Sequence, residues 1–353
     1  MAYTTIDDPS AHFQTVTYTG GGNGSSVTFS GNSDLQLDWL WVKRRDSTGN
    51  SKVFDTSRGI GSGSEPYLTT TTNEQEQTYG YLTSVDSDGF TWDTTDSSVG
   101  ASSNTYVAWA WKANGGTTTS FSESGNNPGG DRQANTTAGF SIIDYVGTGA
   151  VGTIEHGLGK VPEWIVFKDR SSDGDNWFVY HQGTGNVGGL RLDTNVATGS
   201  DSNRFNNTSP TTSVFTVGAS GGVNDDGKAT IAYCFAPIQG YSSFGKYKGN
   251  GQGDGPFLYM GFKPRWVMFK RTDAGEEWYI YDTVRDPINV MDRKLFADIN
   301  NAESQSETLD FVSNGVKLRN SSSAFNTNGG TYVYMAFAEH PFVSSKGVPV
   351  TAR

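Results

Sequence analysis

One phrase occurs three times in this chain and constrains its fold more than any other feature. Pro264-Arg265-Trp266-Val267-Met268-Phe269-Lys270 returns, with conservative changes, as Asp38-Trp39-Leu40-Trp41-Val42-Lys43 and Pro162-Glu163-Trp164-Ile165-Val166-Phe167-Lys168. Each copy sets a tryptophan before three apolar residues and a lysine. Unbroken apolar runs rich in Trp and Val suit strands buried on both faces.

Two further markers keep constant spacing from the tryptophan. An aromatic residue followed by Asp or His comes 15, 16 and 15 positions later, as Phe54-Asp55, Tyr180-His181 and Tyr281-Asp282. A closing strand follows at 67, 66 and 66 positions, beginning at Tyr106, Thr230 and Tyr332. Weaker markers agree: the aromatic-to-glycine openings at Tyr18, Tyr145 and Tyr247, and the short apolar phrases at Phe90, Phe215 and Val316. Two of these phrases follow Asp88-Gly89 and Asn314-Gly315, dipeptides that supply positive φ cheaply. Self-similarity at a fixed period marks a repeat architecture. The expectation is an all-β chain of three tandem modules of about 100 residues each, an ordinary domain size.

The boundaries follow from these markers. Residues 1–12 are a leader, either a flexible end or an anchor that lies on a partner subunit. Module 1 covers 13–113, and a Gly/Ser/Thr-rich linker covers 114–138. Module 2 covers 139–238, module 3 covers 239–342, and 343–353 is a tail. The linker lengthens the first tryptophan interval to 125 residues against 102 for the second. Its composition predicts a flexible tether, with module 1 free to sit apart from a closely packed modules 2 and 3.

Composition excludes several classes. The 26 basic against 37 acidic residues leave −11, which argues against a nucleic-acid surface and against adhesion to anionic lipid. No run is long and apolar enough to insert in a membrane, and none reads as a signal peptide. The single cysteine rules out an intrachain disulfide; Cys234 replaces Ala110 and Ala336 of the sister copies and reads as a buried, inert thiol. The glycine loop 20–24 lacks the lysine and helix of a phosphate cradle.

Chemistry is sparse. No carboxylate pair recurs as a hydrolase would need, and none of His12, His156, His181 and His340 lies in a nucleophile motif or at zinc-ligand spacing. His156 reads as a turn residue with a local hydrogen bond. The expectation is no enzyme, no cofactor and no metal. Asp86–Gly89 and Asn224–Gly227 offer oxygen ligands for calcium, but without an EF-hand glutamate they read as turns. Asp55 with Arg58, and Asp282 with Arg285, either recognise a sugar or carboxylate or brace a turn; module 2 has His181 and Thr184 there. Tyr67, Tyr79 and Tyr81 are candidate exposed sugar-stacking aromatics, whereas Trp39, Trp164 and Trp266 read as core. Recognition is expected on the loops that differ among copies: 57–81, 183–207 and 286–307.

The opening Met1-Ala2-Tyr3-Thr4-Thr5-Ile6-Asp7-Asp8-Pro9-Ser10, with Tyr18-Thr19-Gly20, resembles virion proteins of marine and other aquatic tailed bacteriophages. These carry tandem copies of a domain without assigned function. The likeness continues through Tyr106–Lys112, His156–Gly159, Asp175-Asn176-Trp177, Gly255-Pro256-Phe257 and Tyr332–Phe342. It implies lectin-like β-sandwich modules in a virion structural protein, a tail fibre or appendage assembled in the host cytoplasm and contributing to host attachment. It supplies no binding residues. The implied partners are other virion proteins, further copies in a homotrimer and a host-surface glycan. Two alternatives stand beside it: an architectural capsid-decoration or neck subunit, and a polysaccharide depolymerase.

Overall fold

A computed structural model describes residues 2–60 and 65–350. Met1 of the leader, residues 61–64 of the first variable loop and 351–353 of the tail lie outside the described residues. Among those described, the chain is all-β, and its one helical turn is the 3-10 turn Pro9–Ala11, N-capped by Asp8.

The same four-strand order occurs three times. In the first repeat, the opening strand Phe13–Thr19 pairs with the closing strand Thr105–Trp111. The closing strand pairs with the tryptophan strand Trp39–Arg44, and that with the return strand Lys52–Asp55. The second repeat uses Phe140–Val146, Ala229–Phe235, Trp164–Asp169 and Phe178–His181 in the same order; the third uses Ser242–Lys248, Thr331–Pro341, Phe262–Arg271 and Tyr279–Asp282. Registers are equivalent, with Trp39 opposite Trp111, Trp164 opposite Phe235 and Trp266 opposite Phe337. The turn dipeptides do what their sequence implies: Gly89 and Gly315 have φ of 146° and 159°, which a β-carbon would oppose.

Alternation along these strands explains why both faces are apolar. Leu40 and Val42, Ile165 and Phe167, and Val267 and Phe269 each face a cluster formed within their own repeat. The intervening Trp39 and Trp41, Trp164 and Val166, and Trp266 and Met268 face one further cluster built by all three repeats together. The closing strands split the same way: Trp109 and Trp111, Tyr233 and Phe235, and Met335 and Phe337 enter the shared core. Cys234 goes to the other face, where burial raises its thiol pKa.

The repeats close cyclically around this core. Trp39 stacks on Tyr233 of the second repeat at 4.8 Å, Trp266 meets Trp111 of the first edge-on at 5.8 Å, and Trp164 meets Trp278 of the third at 5.8 Å. The first repeat therefore does not sit apart. Nor is the segment 114–138 a free tether, since Thr119–Phe121 and Gly130–Asn135 extend the second repeat's sheet through Phe140–Val146. Gln133, almost wholly buried, donates to Thr56 and Ser57 of the first repeat at 2.8 and 2.7 Å. The described leader residues are likewise occupied within the chain. Ile6 enters the shared core, Tyr3 donates to the Gly261 carbonyl, and Asp7 accepts from the Ser345 backbone.

Because the repeats share a core, unfolding of the chain is expected as one cooperative transition. Trp266→Ala should lower stability by about 3–5 kcal/mol. Urea titration followed by tryptophan fluorescence and by far-UV circular dichroism should give coincident midpoints, shifted together in the variant.

Candidate functional site

The three junctions between repeats use one backbone pattern. In each, the amide ten residues after the tryptophan donates to an asparagine carbonyl of a neighbouring repeat: Gly49 to Asn300, Gly174 to Asn73 and Glu276 to Asn195. Three residues beyond each asparagine a second bond returns, from Glu303 to Arg45, Glu76 to Arg170 and Thr198 to Thr272. The lysine after each tryptophan is buried and donates to loop carbonyls. Lys43 reaches Ile299 of the third repeat, Lys270 reaches Asn195 of the second, and Lys168 holds Asp175 of its own loop. Burial lowers the pKa of Lys43 to about 7 and that of Lys270 to about 8.

Side chains divide the junctions into two kinds. At the first–third junction Glu303 accepts a bidentate pair from Arg45 at 3.0 Å and a third bond from Arg285. Arg285 is paired with Asp282, which also accepts from the Trp109 indole at 3.1 Å. The second–first junction repeats this with Glu76 between Arg170 and Arg58, and with Asp55 accepting from Arg58 and the Tyr233 hydroxyl. The arginine charges hold both glutamates below the usual carboxylate range against the opposing effect of burial. The Asp55–Arg58 and Asp282–Arg285 pairs have no exposed side-chain surface, so they brace the junctions and are not surface ligand sites.

The third–second junction replaces all five positions. His181, Thr184, Thr198, Thr272 and Met335 stand where the others have Asp, Arg, Glu, Arg and an indole or phenol donor. The imidazole of His181 is buried against Trp164, and its Nδ1 accepts the Gly183 amide hydrogen, which places the proton on Nε2. Burial lowers its pKa to about 4.

Without the charged network a cleft of about 520 Å³ opens here. Its walls combine the apolar Tyr247, Tyr332 and Val333 with the polar Thr184, Thr198, Thr272, Thr331, Lys246, Lys248 and Asp273. The Thr272 and Thr331 hydroxyls bond each other at 2.7 Å, and Asp273 is held by Arg271 at 2.9 Å. The Thr198 hydroxyl is buried with no protein partner, and Lys246 and Lys248 are exposed at the rim. The two exposed ammonium groups, above a floor of threonines whose hydroxyls are mostly engaged within the protein, suit a ligand that carries negative charge. Among the described residues the lining carries one carboxylate, that of Asp273.

The other predicted positions fall elsewhere. Tyr67, Tyr79 and Tyr81 do come together, with rings 5.2 and 4.6 Å apart, but only Tyr79 is open, at 60% exposure. Tyr81 is buried and donates to Asp96, and the Lys52 ammonium caps the Tyr67 ring at 3.8 Å. The Asp86–Gly89 segment is a hairpin turn whose Asp88 accepts the Leu35 amide. His156 makes the expected local bond from the Leu158 amide and a second bond with the Thr211 carbonyl. Sequence reasoning missed the cleft and the junction asparagines Asn73, Asn195 and Asn300. The shared asparagine three residues before Glu76, Thr198 and Glu303 was the available signal.

A family model described as a domain of unknown function (DUF7483) matches residues 8–341. The chain belongs to that family. No curated protein and no solved structure matches it. The DUF7483 match spans all three repeats as one unit, in keeping with their shared core.

Two predictions concern the junctions of this DUF7483 chain. Arg285→Thr leaves Asp282 buried without its cation and should cost about 3–5 kcal/mol in urea unfolding. Adding Asp282→His, which writes third–second chemistry into this junction, should recover part of that loss, a coupling read by double-mutant cycle. The second prediction is a pH dependence. A histidine whose folded pKa is depressed contributes stability that is present above its unfolded pKa near 6.5 and lost as pH falls toward about 4. Wild-type protein should therefore lose about 3 kcal/mol more than His181→Gln across that window, read as the difference between their urea midpoints.

Proposed function

We propose that this chain is a non-enzymatic virion component, a tail-fibre or related appendage subunit, that contacts a host-surface glycan through the cleft between its second and third repeats. The cleft carries the reading: it stands at the one junction where the charged network is replaced by hydroxyls and lysines. The likeness of the opening and closing segments to tailed-phage virion proteins supports the setting. We read each repeat as a lectin-like sandwich, its central strands covering their own core cluster on the outer face. Cyclic closure within one chain already supplies three equivalent sheets, as three subunits of a trimeric appendage would. Further copies and other virion proteins would then join through outer faces.

Full-length protein on a glycan array should retain acidic saccharides, and Lys246→Glu/Lys248→Glu should weaken retention at least about tenfold, the loss of one or two charge-assisted contacts. Purified wild-type protein, but not the variant, should compete with particle adsorption to host cells. Absence of glycan retention, with density for this chain on the capsid shell or neck, would replace this reading with the architectural one.

A further inference from the structure

The second repeat departs from its sisters at one more buried position. Five residues after the tryptophan, the first and third repeats have Arg44 and Arg271, and the second has Asp169. In the third repeat Arg271 pairs with Asp273 at 2.9 Å, reaches the Thr327 hydroxyl at 3.4 Å and feels the charge of Glu276. In the first, Arg44 pairs with Asp46 at 2.8 Å.

The second repeat loses the arginine and its partner carboxylate, Asp273 becoming Ser171, and gathers carboxylates at other positions. Asp175 stands two residues before Trp177, as Glu276 stands two before Trp278. Asp225 stands five before the closing strand's Thr230, as Thr327 stands five before Tyr332. Carboxylate oxygens of Asp169, Asp175 and Asp225 all lie within 4.8 Å of one another. Asp169 is 1% exposed; its Oδ1 accepts the Ser171 and Ser172 amides, and its Oδ2 is buried with no hydrogen-bond partner. Two lysines are near. Lys168 commits its ammonium to the Asp175 carbonyl oxygen at 2.8 Å, and Lys228 acts on Asp175 only through its charge. Burial, and then the negative charges of Asp169 and Asp225, raise the pKa of Asp175.

We propose that Asp169, Asp175 and Asp225 bind a hard divalent cation, calcium, at the position that Arg271 fills with its guanidinium in the third repeat. An all-oxygen, three-carboxylate set without His or Cys suits calcium over zinc or copper, with water completing six to eight ligands. The ion ties the loop after the tryptophan strand to the loop before the closing strand. The first of these loops also carries the second–first junction, through Gly174 to Asn73 and the Gln75 amide to Asp173. Calcium thus braces, within the second repeat, the loop that carries this junction, in a place where the third repeat uses a covalently attached cation.

The test uses the full chain stripped with EDTA, titrated with calcium chloride by calorimetry and melted with and without the ion. One calcium per chain is expected, at a Kd in or below the range of about 10⁻⁴–10⁻³ M of extracellular calcium modules. Saturation should raise Tm by at least about 2 °C. Asp225→Asn should weaken binding at least about tenfold. Asp169→Arg, which imports the third repeat's solution, should abolish the calcium response and melt no lower than wild type in EDTA. No calcium uptake by the wild type, or equal uptake by Asp225→Asn, overturns the proposal. A magnesium response equal to that of calcium overturns the choice of ion.

Discussion

Every other feature of this molecule depends on burial of the tryptophan strands from both sides. A strand with Leu40 and Val42 on one face and Trp39 and Trp41 on the other has no face to give to water. One repeat can cover only the first of these. The second is covered when the three sheets meet, and buried indoles contribute about 150–250 Å² each to that meeting. The indole N–H groups of Trp39, Trp41, Trp111, Trp164 and Trp266 are buried without hydrogen-bond partners. Each such group costs about 1–3 kcal/mol. Shape and area therefore outweigh polar satisfaction at the centre, which suits a core assembled from three copies of one pattern.

Around that core the junctions show how buried charge behaves as a set. Asp282, Arg285, Glu303 and Arg45 make sense together, since any one left alone would be an uncompensated ion away from water. The third–second junction has none of the four charges; it has His181, Thr184, Thr198 and Thr272. Intermediate combinations would strand a charge, so the exchange is complete. The backbone bonds from Glu276 to Asn195 and from Thr198 to Thr272 persist regardless, because they are set by strand register and not by the side chains they carry.

Much of this was readable in the sequence, and the remainder was hidden for identifiable reasons. The count of repeats follows from markers whose spacing the sheet holds fixed, whereas the order of strands within each sheet does not. Which face of the tryptophan strand meets which core does not, because an unbroken apolar run carries no alternation to separate the two. The expectation that Trp39 and Trp164 are core residues was right in kind but silent about which core. The segment 114–138 misled by composition: Gln133 and Asn135 are polar because they bond the first repeat, not because they face solvent. Asp55 and Arg58 could be read in sequence either as recognition residues or as a brace, and their partners Glu76 and Tyr233, distant in sequence, decide for the brace. The junction asparagines escaped notice because Asn195 follows its aromatic marker by 15 residues, whereas Asn73 and Asn300 follow theirs by 19.

The phrase around Trp266 first marks how many repeats there are. Compared position by position, it also marks where they differ, and the differences gather in the second repeat and the junction it shares with the third. Asp169 replaces an arginine, His181 an aspartate and Thr198 a glutamate. Structural demand alone would favour the sisters' solutions, which already fit the same backbone. Each substitution instead removes an internal partner and leaves a buried polar atom unpaired: a carboxylate oxygen on Asp169, the Nε2 of His181 and the hydroxyl of Thr198. In a chain built from three equivalent parts, the place to look for a ligand is where one part gives up an interaction that the other two retain.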